Sequence, residues 1–249
     1  MKRSRILTKS MLMLHLRNRA TLFWNLIFPV LLLVIYAVVF GSGQVGDQDY
    51  MTWVVPGVIV FNILAYGLMG SAALMVQMRE NGVLRRLQAS PVPAAQLLGS
   101  YLAVNLIIGL LQSALILLFS LLVFHNPLTL QKALGAFPML LVGILTFLSL
   151  GQVISGVATT AGAAVAVGQI INFGMMFITD LVMPLQLMPD WIQKLAPYLP
   201  AYAVVQLVRP PLMEGVYSPD LGKNLLVAAV YILVAGLVAS RMFRWAPRS

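Results

Sequence analysis

Long apolar runs with almost no charge inside them dominate the sequence. A helix of about 20 such residues crosses roughly 30 Å of hydrocarbon. In lipid a lone segment must satisfy its own backbone groups, and the helix does this. Six segments qualify, at about 22–40, 53–77, 93–124, 134–157, 167–185 and 225–242. No stretch shows the alternation of a membrane β-barrel strand. The fold class that follows is an all-α integral membrane protein with six transmembrane helices. Composition agrees: 9% of the 249 residues are charged, against about 25% in a soluble domain.

The formal net charge of +9 raises nucleic acid as a partner, but the placement of the cations argues for no nucleic acid. Lys2, Arg3, Arg5, Lys9, Arg17 and Arg19 precede the first run, and Arg241, Arg244 and Arg248 close the last. Cations flanking apolar spans report topology. An even number of spans puts both termini on one side, together with Arg79, Arg85 and Arg86. Lys132, Lys194, Arg209 and Lys223 fall opposite, so most of the sixteen cations share the side of the termini. The positive-inside rule makes that side the cytoplasm. The first run is longer than a signal-peptide core and no clean small-x-small cleavage site follows it, so it reads as an uncleaved span.

The chain has no cysteine, which excludes disulfides and thiolate sites. His15 and His125 stand alone, without metal-ligand spacing, and no metal site is expected. Residues 1–20 mix Ile6, Leu7, Met11, Leu12, Leu14 and Leu16 with Lys9, Arg17 and Arg19. That pattern suits a basic helix lying in the cytoplasmic interface. The division is then an N-terminal interfacial helix at 1–20 and a six-span membrane domain at 21–249. The stretch Leu185–Asn224 is too rich in proline and polar residues to span, and too apolar for an ordinary loop. Trp191, Ile192, Leu195 and Tyr198 fall near helical spacing. It reads as short helices at the outer membrane surface or dipping into it.

"RENGVLRRLQASPVP", Arg79–Pro93, separates the second and third runs. Arg79 to Ala89 makes about three turns at 3.6 residues per turn. Val83, Leu84 and Leu87 gather on one face, while Arg79, Glu80 and Arg86 point elsewhere. Pro91 and Pro93 stop the helix. Such a segment either enforces topology with its cations or offers a docking surface, since exposed apolar side chains call for a partner.

The segment resembles the cytoplasmic loop of type-2 ABC exporter permeases. Glu80, Gly82, Leu84, Arg85, Leu87, Ser90 and Pro91 match that family's pattern; Val83 stands where threonine is common, and Asn81 where a basic residue is usual. "LFWNLIFPVLLLVIYAVVFG" resembles the family's first span, with Pro29, Phe40 and Gly41 matching. "MPDWIQKLAPYLPAYAVVQLVR" resembles its outer segment, with Pro189, Trp191, Pro200, Tyr202 and Arg209 matching. The resemblance implies a permease of the cell inner (plasma) membrane, in contact with membrane lipid and exporting its cargo. It implies that Arg79, Glu80, Gly82, Val83, Leu84, Arg85, Arg86 and Leu87 form a coupling helix seated on an ATP-binding cassette ATPase subunit. Val83, Leu84 and Leu87 would supply buried contact, and Glu80, Arg85 and Arg86 the polar rim. Two ATPase copies and a second permease copy or sister permease would complete the assembly. ATP and Mg would be bound by the ATPase partner, because no G-x-x-x-x-G-K-[ST] loop occurs in this chain.

Uncharged spans suit an apolar or amphipathic cargo, such as a drug-like compound, a lipid or a lipid-linked glycan. The alternative is an ion-gradient-driven secondary carrier, which would need an ionisable residue within a span. Asp180 is the candidate, and it reads first as a polar contact at the outer end of its span. No filter-like ring points to a channel. Ser149, Ser155, Thr159 and Thr160 have no nearby base, so the spans carry no sign of an enzyme.

Overall fold

Residues 27–41, 43–45, 48–88, 94–124, 129–181 and 183–242, with Thr8, Leu12, Met13 and Phe23, are described by a computed structural model. The interfacial helix expected at 1–20 lies outside the described residues, those three early positions apart. Helix α1 spans Phe28–Phe40 and takes Pro29 in its first turn, where the missing N–H costs nothing. A two-residue hairpin follows, β1 (Gln44–Val45) with β2 (Gln48–Asp49), antiparallel with Gln44 opposite Asp49. Then come α2 (Tyr50–Glu80), α3 (Val83–Gln88), α4 (Ala94–Phe124), α5 (Leu130–Val157) and α6 (Ala161–Ile178). After them, α7 (Asp190–Leu195) and α8 (Pro200–Met213) lead to α9 (Leu221–Met242).

Five of these helices, α2, α4, α5, α6 and α9, are long and apolar enough to cross a membrane. Helix α1 is the described part of the first expected span. The fifth span differs from its expected bounds of 167–185, beginning at Ala161 and ending at Ile178. "TTAGAAVAV" reads as a connection because it is small and uncharged. In fact the Thr160 hydroxyl accepts the Ala163 N–H at 3.1 Å and opens the helix as an N-cap. The alanines after it are strong helix formers.

Helix α2 is the axis of the bundle. It packs on α1, α4, α5, α6 and α8, and 72% of its most apolar stretch is buried, against 11% in α9. The outer helices carry the apolar side chains that this chain leaves exposed: Ile170, Phe173 and Phe177 on α6, and Leu226, Leu233 and Leu237 on α9. In a membrane bundle such positions face lipid or another membrane chain. Where α2 crosses α5 the backbones touch through glycine. A Cβ added at Gly151 would lie 1.9 Å from the Gly67 carbonyl oxygen, and one at Gly67 would lie 2.6 Å from the Phe147 Cβ. Small residues at helix crossings are how membrane helices gain packing contact without a hydrophobic driving force.

The region between α6 and α9 divides in two. Helix α7 has no buried residue and lies on the surface. Helix α8 dips inward, packing on α2, α5 and α9 with Val204, Val205, Leu207 and Val208 buried.

Candidate functional site

Helix α2 does not run into α3 as one helix. Asn81 N–H donates to the Gln77 carbonyl at 2.9 Å and Gly82 N–H to the Arg79 carbonyl at 3.1 Å. Gly82 then adopts φ +67°, the left-handed conformation that closes a helix and that glycine enters without a side-chain penalty. The chain turns and α3 starts at Val83, with Arg86 N–H donating to the Gly82 carbonyl at 3.1 Å. Arg79 and Glu80 therefore belong to the last turn of α2, not to the separate short helix. The segment expected as one helix from Arg79 to Ala89 is a helix end, a glycine hinge and a six-residue helix.

The side chains divide accordingly. Leu84 is 1% exposed and packs into this chain's own core, with Val83 half-buried beside it. Arg85, Arg86, Asn81 and Glu80 are exposed, and Arg86 Nη2 donates back to the Asn81 carbonyl at 3.1 Å. The side chain of Leu87 lies outside the described set, as do Ser90, Pro91 and Pro93.

Arg79 turns inward. Its Nη1 donates to the Ser155 carbonyl at 3.0 Å and its Nη2 to the Ala158 carbonyl. Both acceptors close the C-terminal end of α5, the negative pole of that helix dipole. One residue on, a Glu80 carboxylate oxygen accepts the Ala161 N–H at 3.4 Å, at the positive N-terminal pole of α6. Two consecutive residues at the foot of α2 thus bracket the α5–α6 turn, each matched in sign to the pole it meets. Both side chains, expected from the sequence to meet a partner, are turned to this chain's own helices instead. The available signal was Gly82: a glycine two residues after Glu80 ends the helix there and leaves Arg79 on α2.

Above the bracket, α2 widens into a π-helical turn at Tyr66–Ser71. Such turns carry an extra residue, release regular carbonyl pairings and recur at functional sites. Here the Ser71 carbonyl accepts the Tyr101 hydroxyl of α4 at 2.6 Å, and Gln152 Nε2 of α5 donates to that hydroxyl at 3.2 Å. Tyr66 donates to Asn105 Oδ1 at 2.5 Å. One polar network ties α2, α4 and α5 together at a level where the sequence showed only apolar spans.

At the opposite end of the bundle, Asp180 follows α6 and forms an ion pair with Arg209 of α8. Gln206 Nε2 donates to the carboxylate at 3.2 Å and Leu185 N–H at 3.0 Å. Arg209 Nη2 also donates to the Asp180 carbonyl at 2.5 Å, and its guanidinium lies 4.1 Å from the Trp53 ring centroid. Gly57 admits this cluster, since a Cβ there would sit 1.6 Å from the Leu181 carbonyl oxygen. Both carboxylate oxygens of Asp180 are therefore engaged by this chain's own donors. Among the described residues no group of three His, Asp or Glu side chains is arranged to hold a metal ion.

Residues 3–213 match the family model described as ABC-2 type transporter. The putative transport permease YvfS of Bacillus subtilis is 24% identical over 233 residues, covering 92% of each chain. The putative transport permease ycf38 of Cyanophora paradoxa is 23% identical over 259 residues, covering 96% of this chain and 88% of the relative. The probable multidrug ABC transporter permease YbhR of Escherichia coli is 25% identical over 199 residues, covering 80% of this chain and 54% of the relative.

Proposed function

Because the chain belongs to the ABC-2 type transporter family and is a multi-pass transport permease, we propose that it is the membrane subunit of an ATP-driven exporter. A separate ATP-binding cassette subunit, in two copies, binds ATP and Mg. A second permease, identical or sister, completes the membrane part. The cargo is apolar or amphipathic, and the site of action is the cell inner (plasma) membrane with both termini in the cytoplasm.

One observation carries the reading: α3 is a short helix with an exposed cationic face, joined by the Gly82 hinge to the foot of α2, which is bracketed to the α5–α6 turn. Arg85 and Arg86, both exposed, meet an acidic cleft on the ATPase, with Val83 at the rim of the contact. Leu84 anchors α3 from below, and Arg79 and Glu80 are positioning residues. Closure of two ATPase subunits around nucleotide moves α3 as a lever. The bracket passes that motion to the ends of α5 and α6, so the spans shift as packed bodies between two arrangements. Only the difference in nucleotide affinity between those arrangements drives the change.

The test uses the absence of native cysteine. Arg85→Cys supplies a single thiol. In oriented membrane vesicles it is expected to react with an impermeant maleimide from the cytoplasmic face alone, and to be protected while the ATPase is bound. Reaction from the outer face, or reaction indifferent to the ATPase, overturns the proposal.

A further inference from the structure

A cavity of about 230 Å³ lies directly behind α3. Ser149 and Gln152 of α5 form its floor, Tyr101 of α4 and Gly236 and Ser240 of α9 its sides, and Leu84 of α3 one end. Its origin is plain in the packing. Helices α4 and α9 both lie against α5 but are not close neighbours of each other. Glycine at 236 leaves the gap unfilled, since a Cβ there meets no atom within 4 Å. Protein interiors pack at crystal density, and a cavity of about 150 Å³ already takes up benzene. A larger one, lined by the exposed Gly236 and Ser240 of α9 and Leu102 of α4, has the hydrocarbon phase as its source of ligand.

The hydroxyl groups of the lining have spent their donors on this chain's own carbonyls. Ser149 donates to the Leu145 carbonyl at 2.8 Å, Ser240 to the Leu237 carbonyl at 2.8 Å, and Tyr101 to Ser71 at 2.6 Å. What these hydroxyls offer inward is oxygen lone pairs. Arg79 also lines the cavity, and its positive charge repels a cation. The matching ligand has an apolar body and an uncharged head that donates a hydrogen bond. We propose that this cavity binds a neutral hydroxyl-bearing amphiphile that enters sideways from the bilayer between α4 and α9. Because Leu84 is a wall, the occupant presses on α3 and sets how freely it moves. This consequence rests on the proposed role of α3; the binding does not.

The test is photolabelling of the purified chain in lipid nanodiscs with azi-octanol, a photoreactive medium-chain alcohol, followed by peptide mapping. Saturable labelling of the cavity walls is expected, with competition by octanol and loss in Gly236→Phe, which fills the gap. Octanol should raise the unfolding midpoint of the unmodified chain and leave that of the filled variant unchanged. Ser149→Leu fills the same space from the floor and serves if Gly236→Phe does not fold. Label spread without saturation over the lipid-facing leucines of α9, absence of label, or cavity label that survives both fillings overturns the proposal. All of these readouts are made on the chain alone, so failure to find an ATPase partner would leave them untouched.

Discussion

Removing one member of the Asp180–Arg209 pair should destabilise the bundle more than removing both. Each residue is 7% exposed. Breaking a buried ion pair from one side costs about 3–5 kcal/mol, because the remaining charge stays desolvated, whereas replacing both partners with neutral groups is often close to neutral. The two single variants differ in what they leave behind. In Arg209→Met the carboxylate keeps Gln206 at 3.2 Å and the Leu185 N–H at 3.0 Å, so the cost should fall near the lower end, about 3 kcal/mol. In Asp180→Asn the guanidinium keeps backbone carbonyls and the Trp53 ring but no counter-charge, and the cost should approach about 5 kcal/mol. Asp180→Asn with Arg209→Met should cost less than either single change. Equilibrium unfolding in mixed micelles, measured as a double-mutant cycle, reads these values. Additive single effects, or single losses below about 1 kcal/mol, would show that the pair is solvated and refute the reasoning.

Gly151→Leu should destabilise the α2–α5 crossing by about 1–3 kcal/mol, since a Cβ alone would lie 1.9 Å from the Gly67 oxygen; Gly236→Ala, with open space around it, should change the unfolding midpoint little. Gly82→Ala forces a side chain into φ +67° and should cost about 1–2 kcal/mol, read as local loss of amide-exchange protection in α3 while the long helices stay protected. Tyr101→Phe removes the donor to the Ser71 carbonyl and should cost about 1–3 kcal/mol, with no change in the amount of protein inserted into the membrane. Arg79→Met should leave the ATPase bound but loosen the α5–α6 turn, seen as faster maleimide reaction at Thr159→Cys.

The spans were legible because a lipid-facing helix needs a continuous apolar run, and the runs containing Trp53, Gly143 and Val230 supply it. The polar fittings inside the bundle were not. Tyr66, Tyr101, Asn105 and Gln152 stand on three helices far apart in sequence, and only packing brings their side chains together. Arg209 likewise read as an outer-loop cation, because nothing local shows that α8 dips in and carries it to Asp180. The short charged segment was visible as an anomaly. Its division at Gly82 decides which residues face outward, and it hung on a backbone angle that the sequence permits without announcing. The start of α6 was misplaced for a similar reason, as Thr160 caps a helix whose first residues carry no apolar signal beyond alanine and glycine.

The account turns on whether the exposed face of α3 holds an ATPase. The most direct measurement is affinity purification of the tagged chain from its native host in gentle detergent, beside Val83→Glu and the pair Arg85→Glu with Arg86→Glu. The account predicts that a separate P-loop ATPase accompanies the unmodified chain and is lost from both variants, while all three proteins stay monodisperse and the Arg85→Glu, Arg86→Glu pair keeps the unfolding midpoint of the unmodified chain. A well-folded chain that purifies without an ATPase, or an ATPase that stays bound to both variants, would contradict it.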